Sequence, residues 1–417
     1  MEDLINMFRK TIWMMGAALV VLLASCKGDA YQNAIPRGCT ALMAIDMEGN
    51  PVTDANSAAA PMVSLFGLEN LEQSGLDLPS RVYLFETADG FFGLAASVHK
   101  ASMVEQWMTG LQEKGTCKLL PERKGLRFAV LKDSWMLTWD NDKLLVMGPI
   151  VPAQQAELAV QMARYMQQPE KQSVKDTPIY NKLCDMQSPM ALVAQTDALP
   201  EALAAAFAIG APKEADASQV MLAAEMEIAE GTLVVKGETF SFNKSIDQAI
   251  QASQQALRPL KGVFADRLPQ ATLTWMANVE GTRFYPLLEQ NKALKGLLTG
   301  ANVSFDFHQV VNDIDGDMVV VVDSITAALP RIMMLAQKKD AGGELFSASD
   351  KALTVETAFS RDAHALTGPQ KALLENARCA MVLQLAQLGD SETVQLVKSF
   401  LQPLFGDINT IVYVTER

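Results

Sequence analysis

Short apolar runs separated by turn residues make up the first third of the chain. Runs of this length, bounded by Gly, Asp or Asn, are typical of β-strands. Met103, Trp107 and Leu111 recur at steps of four and predict a helix over 101–114 that ends at Gly115. The predicted strands are residues 41–47, 81–87, 90–98, 126–132, 134–140 and 143–149. The last three are joined by short turns and should form an antiparallel meander.

Helical periods become more frequent along the middle of the chain. Apolar residues three and four apart predict helices over residues 61–75, 152–168, 201–210 and 245–257. The last of these opens on Ser245 and Gln248, a capping-box spacing. A strand is predicted at 189–196. It is followed by a hairpin that turns at Glu230-Gly231 and exposes one face to solvent.

The same order of elements then restarts. The pattern predicts a strand, a helix and a strand pair, and afterwards a strand, a helix and a strand, at residues 271–281, 284–300, 317–324, 330–339, 378–386, 391–406 and 409–416. We expect two related halves, 35–262 and 263–417, for which internal duplication is one explanation. The predicted fold class is α+β, with antiparallel sheets and helices packed mainly on one face.

The first 25 residues follow a different pattern. Arg9 and Lys10 precede an apolar run over 11–23, which is shorter than the roughly 20 residues that a transmembrane helix needs. A basic start, a short apolar run and small residues before a cut indicate a secretory signal. Acidic residues near Met1 fit such a start poorly, so translation begins either there or at Met7.

The end of this run, Leu22-Leu23-Ala24-Ser25-Cys26, resembles the bacterial lipoprotein box. The resemblance implies that residues 1–25 are a signal peptide and that Cys26 is diacylated through its sulfur. The alternative is a buried cysteine after an ordinary signal peptide. Residues 26–34 are then a polar tether. Lys27 replaces the aspartate that retains enteric lipoproteins in the inner membrane, which implies the outer membrane, with the periplasmic or surface face left open.

Charge and composition narrow the class of partner. The net charge is −13 with a pI of about 4.8, so phosphate backbones would be repelled and nucleic acid is not expected as a partner. Apolar residues make up 49% of the chain and charged residues 20%, as in globular proteins. Two disulfides could join Cys39, Cys117, Cys184 and Cys379, but buried thiols are the default interpretation.

Candidate catalytic and metal-binding residues are few. His99, His308 and His364 lie in three different segments without metal-ligand spacing, so structural roles are favoured. No nucleophile or phosphate-loop motif occurs. The acidic cluster Asp313–Asp317 could bind calcium. An EF-hand alignment on its glycine, however, places Val311 and Val322 at the first and last ligand positions, where oxygen donors are required. A turn before a strand is the better interpretation, and no catalytic residue, metal or cofactor is predicted.

Two tryptophans could carry a binding function. Trp135, Leu137 and Trp139 share one face of a predicted strand. If exposed, the pair would form a glycan platform, and if buried, it would pack beneath a helix, which is favoured. The 22 methionines likewise fit either core filling or an adaptable lining for a greasy ligand.

Four segments carry a family resemblance. They read AIPRGCTALMAIDMEG, GLDLPSRVYLFETADGFFGLAASV, NDIDGDMVVVV and FGDINTIVY. They resemble an uncharacterised lipoprotein family of Bacteroidetes, a domain of unknown function, whose motifs are strand starts and turns. That family has no established activity, so the resemblance implies the location and no catalytic residue.

Three functional hypotheses remain. The first is a lipid-anchored cell-envelope protein, held to the membrane through Cys26, that binds a protein or glycan partner or acts structurally without catalysis. The second is a carrier or sensor of an amphiphile in the periplasm. The third is a hydrolase with an unfamiliar site.

Overall fold

Strands form where apolar runs are bounded by turn residues. The computed structural model describes residues 30–47, 71–198, 215–229, 231–266, 268–269, 271–290, 307–323, 331–339, 344–348, 363–364, 368–375, 377–385 and 408–415. Of these, residues 30–39, 46–47 and 71–177 belong to a first unit, and residues 40–45 and those from 178 onward belong to a second.

The strands are β1 (Cys39–Ile45), β2 (Val82–Thr87), β3 (Phe92–Ser97), β4 (Cys117–Arg123), β5 (Leu126–Leu131), β6 (Trp135–Trp139), β7 (Lys143–Gly148), β8 (Met190–Gln195), β9 (Met221–Ala229), β10 (Thr232–Phe240), β11 (Leu257–Arg258), β12 (Leu268–Pro269), β13 (Leu273–Glu280), β14 (Ile314–Asp323), β15 (Arg331–Lys338), β16 (Glu344–Ala348), β17 (Ala363–His364), β18 (Cys379–Gln384) and β19 (Thr410–Thr415). The helices are α1 (Ala101–Glu113), α2 (Gln155–Gln167), α3 (Pro178–Cys184), α4 (Lys244–Gln254), α5 (Gly281–Gln290), α6 (Phe307–Asn312) and α7 (Gly368–Leu374).

The sheet of the first unit is antiparallel, in the order β2-β3-β7-β6-β5-β4. Its last three strands in sequence form the predicted meander. The neighbouring residues Met136 and Leu137 point to opposite faces, yet each is at most 1% exposed. Both faces of this sheet are therefore covered at the middle of β6. Helix α1 lies on the face of Leu137, since its Glu105 pairs with Arg127, which stands opposite Trp139.

The sheet of the second unit runs β1-β8-β9-β10-β19-β18-β13-β14-β15-β16. All of its pairs are antiparallel except β10 with β19. Strand β11 pairs with the end of β13, and β12 pairs with β17 in a separate two-stranded ladder. This large, mostly antiparallel sheet with helices confirms the predicted α+β class.

Two hydrophobic clusters lie on opposite faces of β13, β14 and β15. Val319 belongs to one cluster, together with Phe264 and with Leu374 of α7. Val320 belongs to the other, together with Phe284 of α5 and Val311 of α6. Helices therefore contribute to both faces, and packing mainly on one face is not shown. The predicted halves 35–262 and 263–417 stay a prediction.

Several local predictions were wrong, either because an element was missed or because its end was misplaced. Strand β4 was missed because its segment, CKLLPER, is half polar and contains Pro121. Helix α4 is capped by Asn243, whose side chain accepts a hydrogen bond from the backbone N–H of Ser245 at 3.0 Å, so Ser245 is not the cap. Leu257 lies in β11 instead of this helix. Of the helix predicted over 61–75, the described residues 71–74 form a 3-10 turn; the helices predicted at 201–210 and 391–406 lie outside the described residues.

Candidate functional site

Cys26, the predicted lipidation residue, lies outside the described residues, but the end of the predicted tether is visible. Within the predicted polar tether, Ala30–Ala34 form a 3-10 helix. The ring of Tyr31 is buried, and its hydroxyl donates to the backbone carbonyl of Arg81 at 2.7 Å. Gln32 donates to the hydroxyl of Tyr83 at 3.2 Å. Residues 30–34 are thus part of the first unit, because the ring of Tyr31 within this polar segment is buried.

The three histidines occupy unrelated positions. His99 is exposed where β3 leads into α1, as predicted, and its backbone N–H donates to Gly75. His308 is an exposed residue of α6, 2.9 Å from the amide nitrogen of Asn312 and edge-on to the ring of Tyr285. His364 lies in β17. Within the part of the chain that is described, no three His, Cys, Asp or Glu side chains are grouped as metal ligands.

The acidic cluster is organised by one buried carboxylate. Asp317 is 2% exposed. Its Oδ1 accepts the backbone N–H of Lys261 at 3.0 Å and the side-chain amide of Asn278 at 2.8 Å. Its Oδ2 accepts the backbone N–H of Val263 at 2.9 Å. Both oxygens are therefore bonded to N–H donors of this chain, which favours the predicted structural role of the cluster over calcium ligation.

The network continues from Asn278 to the surface. The side-chain oxygen Oδ1 of Asn278, a residue that is 1% exposed, accepts a hydrogen bond from Nε of Arg258 at 2.9 Å. Nη2 of Arg258 donates to the carboxylate of Asp315 at 2.6 Å. These contacts fasten the segment after β11 to β13 and β14. Strand β14 begins at Ile314 instead of the predicted residue 317, so the turn predicted over the acidic cluster was wrong for residues 314–317. The register of β14 with β15 shifts between Ile314 and Met318, where Gly316 has a φ of 145°.

A small cavity lies beside this network. It is lined mainly by apolar side chains and has a volume of about 10 Å³, which is about the space that one water requires. Its lining includes Leu260, Phe264, Met276, Asp317 and Leu374. A lipid-sized ligand would not fit in this cavity.

The cysteines divide into buried and exposed thiols, and the four described ones are not in disulfides. Cys39, Cys117 and Cys379 are buried as predicted, whereas Cys184 near the end of α3 is exposed, so the prediction was wrong there. Burial raises the pKa of Cys39 and of Cys379 to about 12, although Cys379 also interacts with Trp275. Burial also raises the pKa of Tyr413, with smaller effects from Cys379 and Glu238. The thiols of Cys39 and Cys379 are therefore protonated at neutral pH and are poor nucleophiles.

The two predicted tryptophans have different environments. Trp139 is 2% exposed and lies at the end of the sheet that α1 covers. Within the described chain, its indole N–H has no hydrogen-bond acceptor. Trp135, at the other end of β6, is only half-buried. The prediction of burial is therefore confirmed for Trp139, and Trp135 retains surface that could contact a ligand.

Trp135 belongs to a row of residues across the first unit, which we call the aromatic row: Glu86, Phe92, Gly148 and Trp135. Glu86 on β2 pairs with Phe92 on β3, and Phe92 pairs with Gly148 on β7. The indole of Trp135 lies over Gly148, since a Cβ there would come within 2.9 Å of the ring. Phe92 is 41% exposed. The sequence did not indicate this row, because the pairing of Phe92 with Gly148 joins residues far apart in the chain.

No helix among the described segments has the length and apolar composition that crossing a membrane requires.

Comparison with known proteins yields a family but no activity. No curated protein matches the sequence. Among solved structures, crystal form IV of TP0453 matches with a TM-score of 0.32 and 9% identity, over 54% of this chain and 85% of that chain. Crystal form III of TP0453 matches with a TM-score of 0.31 and 11% identity, over 54% and 86%. The sequence model of a domain of unknown function, DUF4836, matches residues 67–365. Since this match covers more than two thirds of the chain, the protein belongs to the DUF4836 family.

Proposed function

We propose that the protein is a lipid-anchored protein of the bacterial outer membrane, of Bacteroidetes type, whose folded part binds a partner and catalyses no reaction. The observation that carries this proposal is the segment Leu22–Cys26, which places a cysteine directly after small residues and a short apolar run. Lys27 after the cysteine supports the outer membrane. The repeated order of strand, helix and strand pair supports duplication of the halves 35–262 and 263–417.

A binding role is supported by the chemistry of the described residues. The buried carboxylate of Asp317 accepts three hydrogen bonds from this chain, and the thiols of Cys39 and Cys379 have a raised pKa. Both oxygens of this carboxylate already accept hydrogen bonds, and thiols that are protonated at neutral pH are poor nucleophiles. The aromatic row, in contrast, places large apolar side chains partly in solvent. The cavity next to Asp317 is itself too small for an amphiphile.

The anchor is tested by growing cells that express the full chain with radiolabelled palmitate. We expect label in the wild-type chain and in Cys184→Ala, the control at an exposed cysteine, and none in Cys26→Ala. We also expect Cys26→Ala to leave the membrane fraction. A wild-type chain without label, or equal label in Cys26→Ala, would refute the anchor.

The same cells then locate the folded part. Added protease should degrade the wild-type chain on intact cells if the anchor lies on the surface, while a periplasmic control protein survives. Protection until permeabilisation would place the folded part in the periplasm. The two results direct the search for a partner to external ligands or to components of the periplasm.

A further inference from the structure

We propose that the aromatic row binds a neutral glycan by stacking pyranose rings on Phe92 and Trp135. The inference deepens the proposed binding role, on which it rests, by naming the class of ligand. Phe92, at the start of β3, is 41% exposed, and Trp135, at the start of β6, is half-buried. Their side chains lie on the same face of one sheet, with Gly148 between them.

Gly148 gives the row its shape. A side chain at this position would collide with the indole of Trp135 and with the backbone carbonyl of Ser134, at 2.9 Å and 2.6 Å from its Cβ. Its absence lets the indole lie over the backbone of β7, next to Phe92. Strands β3 and β6 are two strand spacings apart, about 10 Å. The row therefore offers a continuous apolar surface that roughly two linked pyranose rings would cover.

The chemistry around the row suits a sugar. The face of an aromatic ring is electron-rich and attracts the C–H groups on the apolar face of a pyranose. Glu86 continues the row on the other side of Phe92, and a carboxylate accepts hydrogen bonds from sugar hydroxyls. Two turns at the same end of the sheet add the exposed side chains of Asp89 and Asp133. These carboxylates and the net charge of −13 would repel an anionic glycan, so a neutral one is expected.

The opposite end of the same face shows the contrast. There α1 lies over the sheet, its Glu105 pairs with Arg127, and Trp139 opposite Arg127 is 2% exposed. The two tryptophans of β6 therefore occupy one covered end and one partly open end. Trp139 is 2% exposed and therefore belongs to the core, whereas Phe92 is 41% exposed, so core packing alone does not explain a large aromatic side chain at that position.

The test is affinity electrophoresis of the full chain in native gels, in a polyoxyethylene detergent that carries no sugar. The gels contain mixed-linkage β-glucan, glucomannan or arabinoxylan, and a polygalacturonate gel serves as the anionic comparison. The net charge of −13 gives the protein good mobility in such gels. We expect at least one neutral polysaccharide to retard the wild-type chain, and no retardation by polygalacturonate.

Variants then assign the site. Phe92→Ala and Trp135→Ala should each raise the dissociation constant about tenfold, which corresponds to about 1.4 kcal/mol. Trp135→Phe should retain most of the binding. Phe242→Ala is the matched control, because Phe242 is 45% exposed in the second unit and outside the row. Circular dichroism checks folding, and if Trp135→Ala unfolds, the exposed Phe92 decides the question.

Failure of the proposal would be distinct from failure of the anchor. If none of the neutral polysaccharides retards the wild-type chain, or if Phe92→Ala and Trp135→Ala bind as Phe242→Ala does, the glycan site is refuted whether or not Cys26 carries palmitate. If binding depends on the row but palmitate is not incorporated, the glycan site holds and the lipid anchor is wrong.

Discussion

Replacing Asp317 by asparagine tests whether the acidic cluster is a structural element. The side chain is 2% exposed and accepts three hydrogen bonds, two at Oδ1 and one at Oδ2. Asparagine can keep the carbonyl oxygen at the Oδ1 position, where Lys261 and Asn278 donate. Its amide nitrogen then faces the N–H of Val263, so one bond is lost and two donors oppose each other.

The magnitude follows from these contacts. A hydrogen bond to a charged acceptor contributes about 1.5–3 kcal/mol, and a buried donor without an acceptor costs about 1–3 kcal/mol. The neutral amide is less costly to bury than the carboxylate, which offsets part of this loss. We expect Asp317→Asn to lower the free energy of unfolding by about 2 kcal/mol. Asp317→Ala, which leaves all three donors without this acceptor, should lower it by about 3–5 kcal/mol.

The matched control is Asp315→Asn, the same chemical change two residues earlier in β14. Asp315 pairs with Arg258 at the surface, with its side chain 40% exposed, so its loss should cost at most about 1 kcal/mol. Urea unfolding of the full chain, followed by circular dichroism, gives the free energies. Hydrogen exchange adds a local readout, since the amide of Val263 should exchange faster in Asp317→Asn. Equal stability of the two asparagine variants would refute the structural role of Asp317.

Two further predictions concern titratable groups. Among the four described cysteines, iodoacetamide should label Cys184 before Cys39, Cys117 and Cys379, because Cys184 is exposed and the other three are buried. Peptide mass spectrometry measures the labelling of each; Cys184→Ser should remove the fast reaction among these four, and equally fast labelling of Cys379 would contradict the assigned burial. The free energy of unfolding should fall as pH rises from about 9 towards 12, by up to about 1.4 kcal/mol per pH unit for each thiol. Burial raises the pKa of Cys39 and of Cys379 from 9.0 to about 12, so the folded state holds protons that the unfolded chain has lost; stability that stays constant from pH 8 to 11 in urea titrations would contradict it.

Periodicity predicted those elements in which burial alone determines which positions are apolar. In α1, the buried residues Val104, Trp107, Met108 and Leu111 lie on one helical face, and Gly115 follows with a φ of 73°. The meander of β5, β6 and β7 was predicted because its turns are short and polar. Strand β4 gave no such signal, since it ends the sheet of the first unit and its register shifts between Leu120 and Arg123, around Pro121.

Local sequence could not supply the caps and buried polar contacts. The choice between Asn243 and Ser245 as cap depends on where the chain leaves β10, which a spacing rule does not contain. Asn278 was a detectable signal, because a buried amide inside the apolar strand β13 needs partners. Its partners, Arg258 and Asp317, come from two other strands, so only the sheet register identifies them.

The same reasoning explains why the predicted tryptophan pair was only partly right. Alternation along β6 places Trp135 and Trp139 on one face, and the sequence contains nothing that says how far a helix extends over that face. Helix α1 reaches Arg127 opposite Trp139, whereas Trp135 lies at the end where β3 and β7 supply Phe92 and Gly148. A face that is uniform in sequence therefore becomes core at one end and a candidate binding surface at the other, because strand pairing and helix placement differ between them.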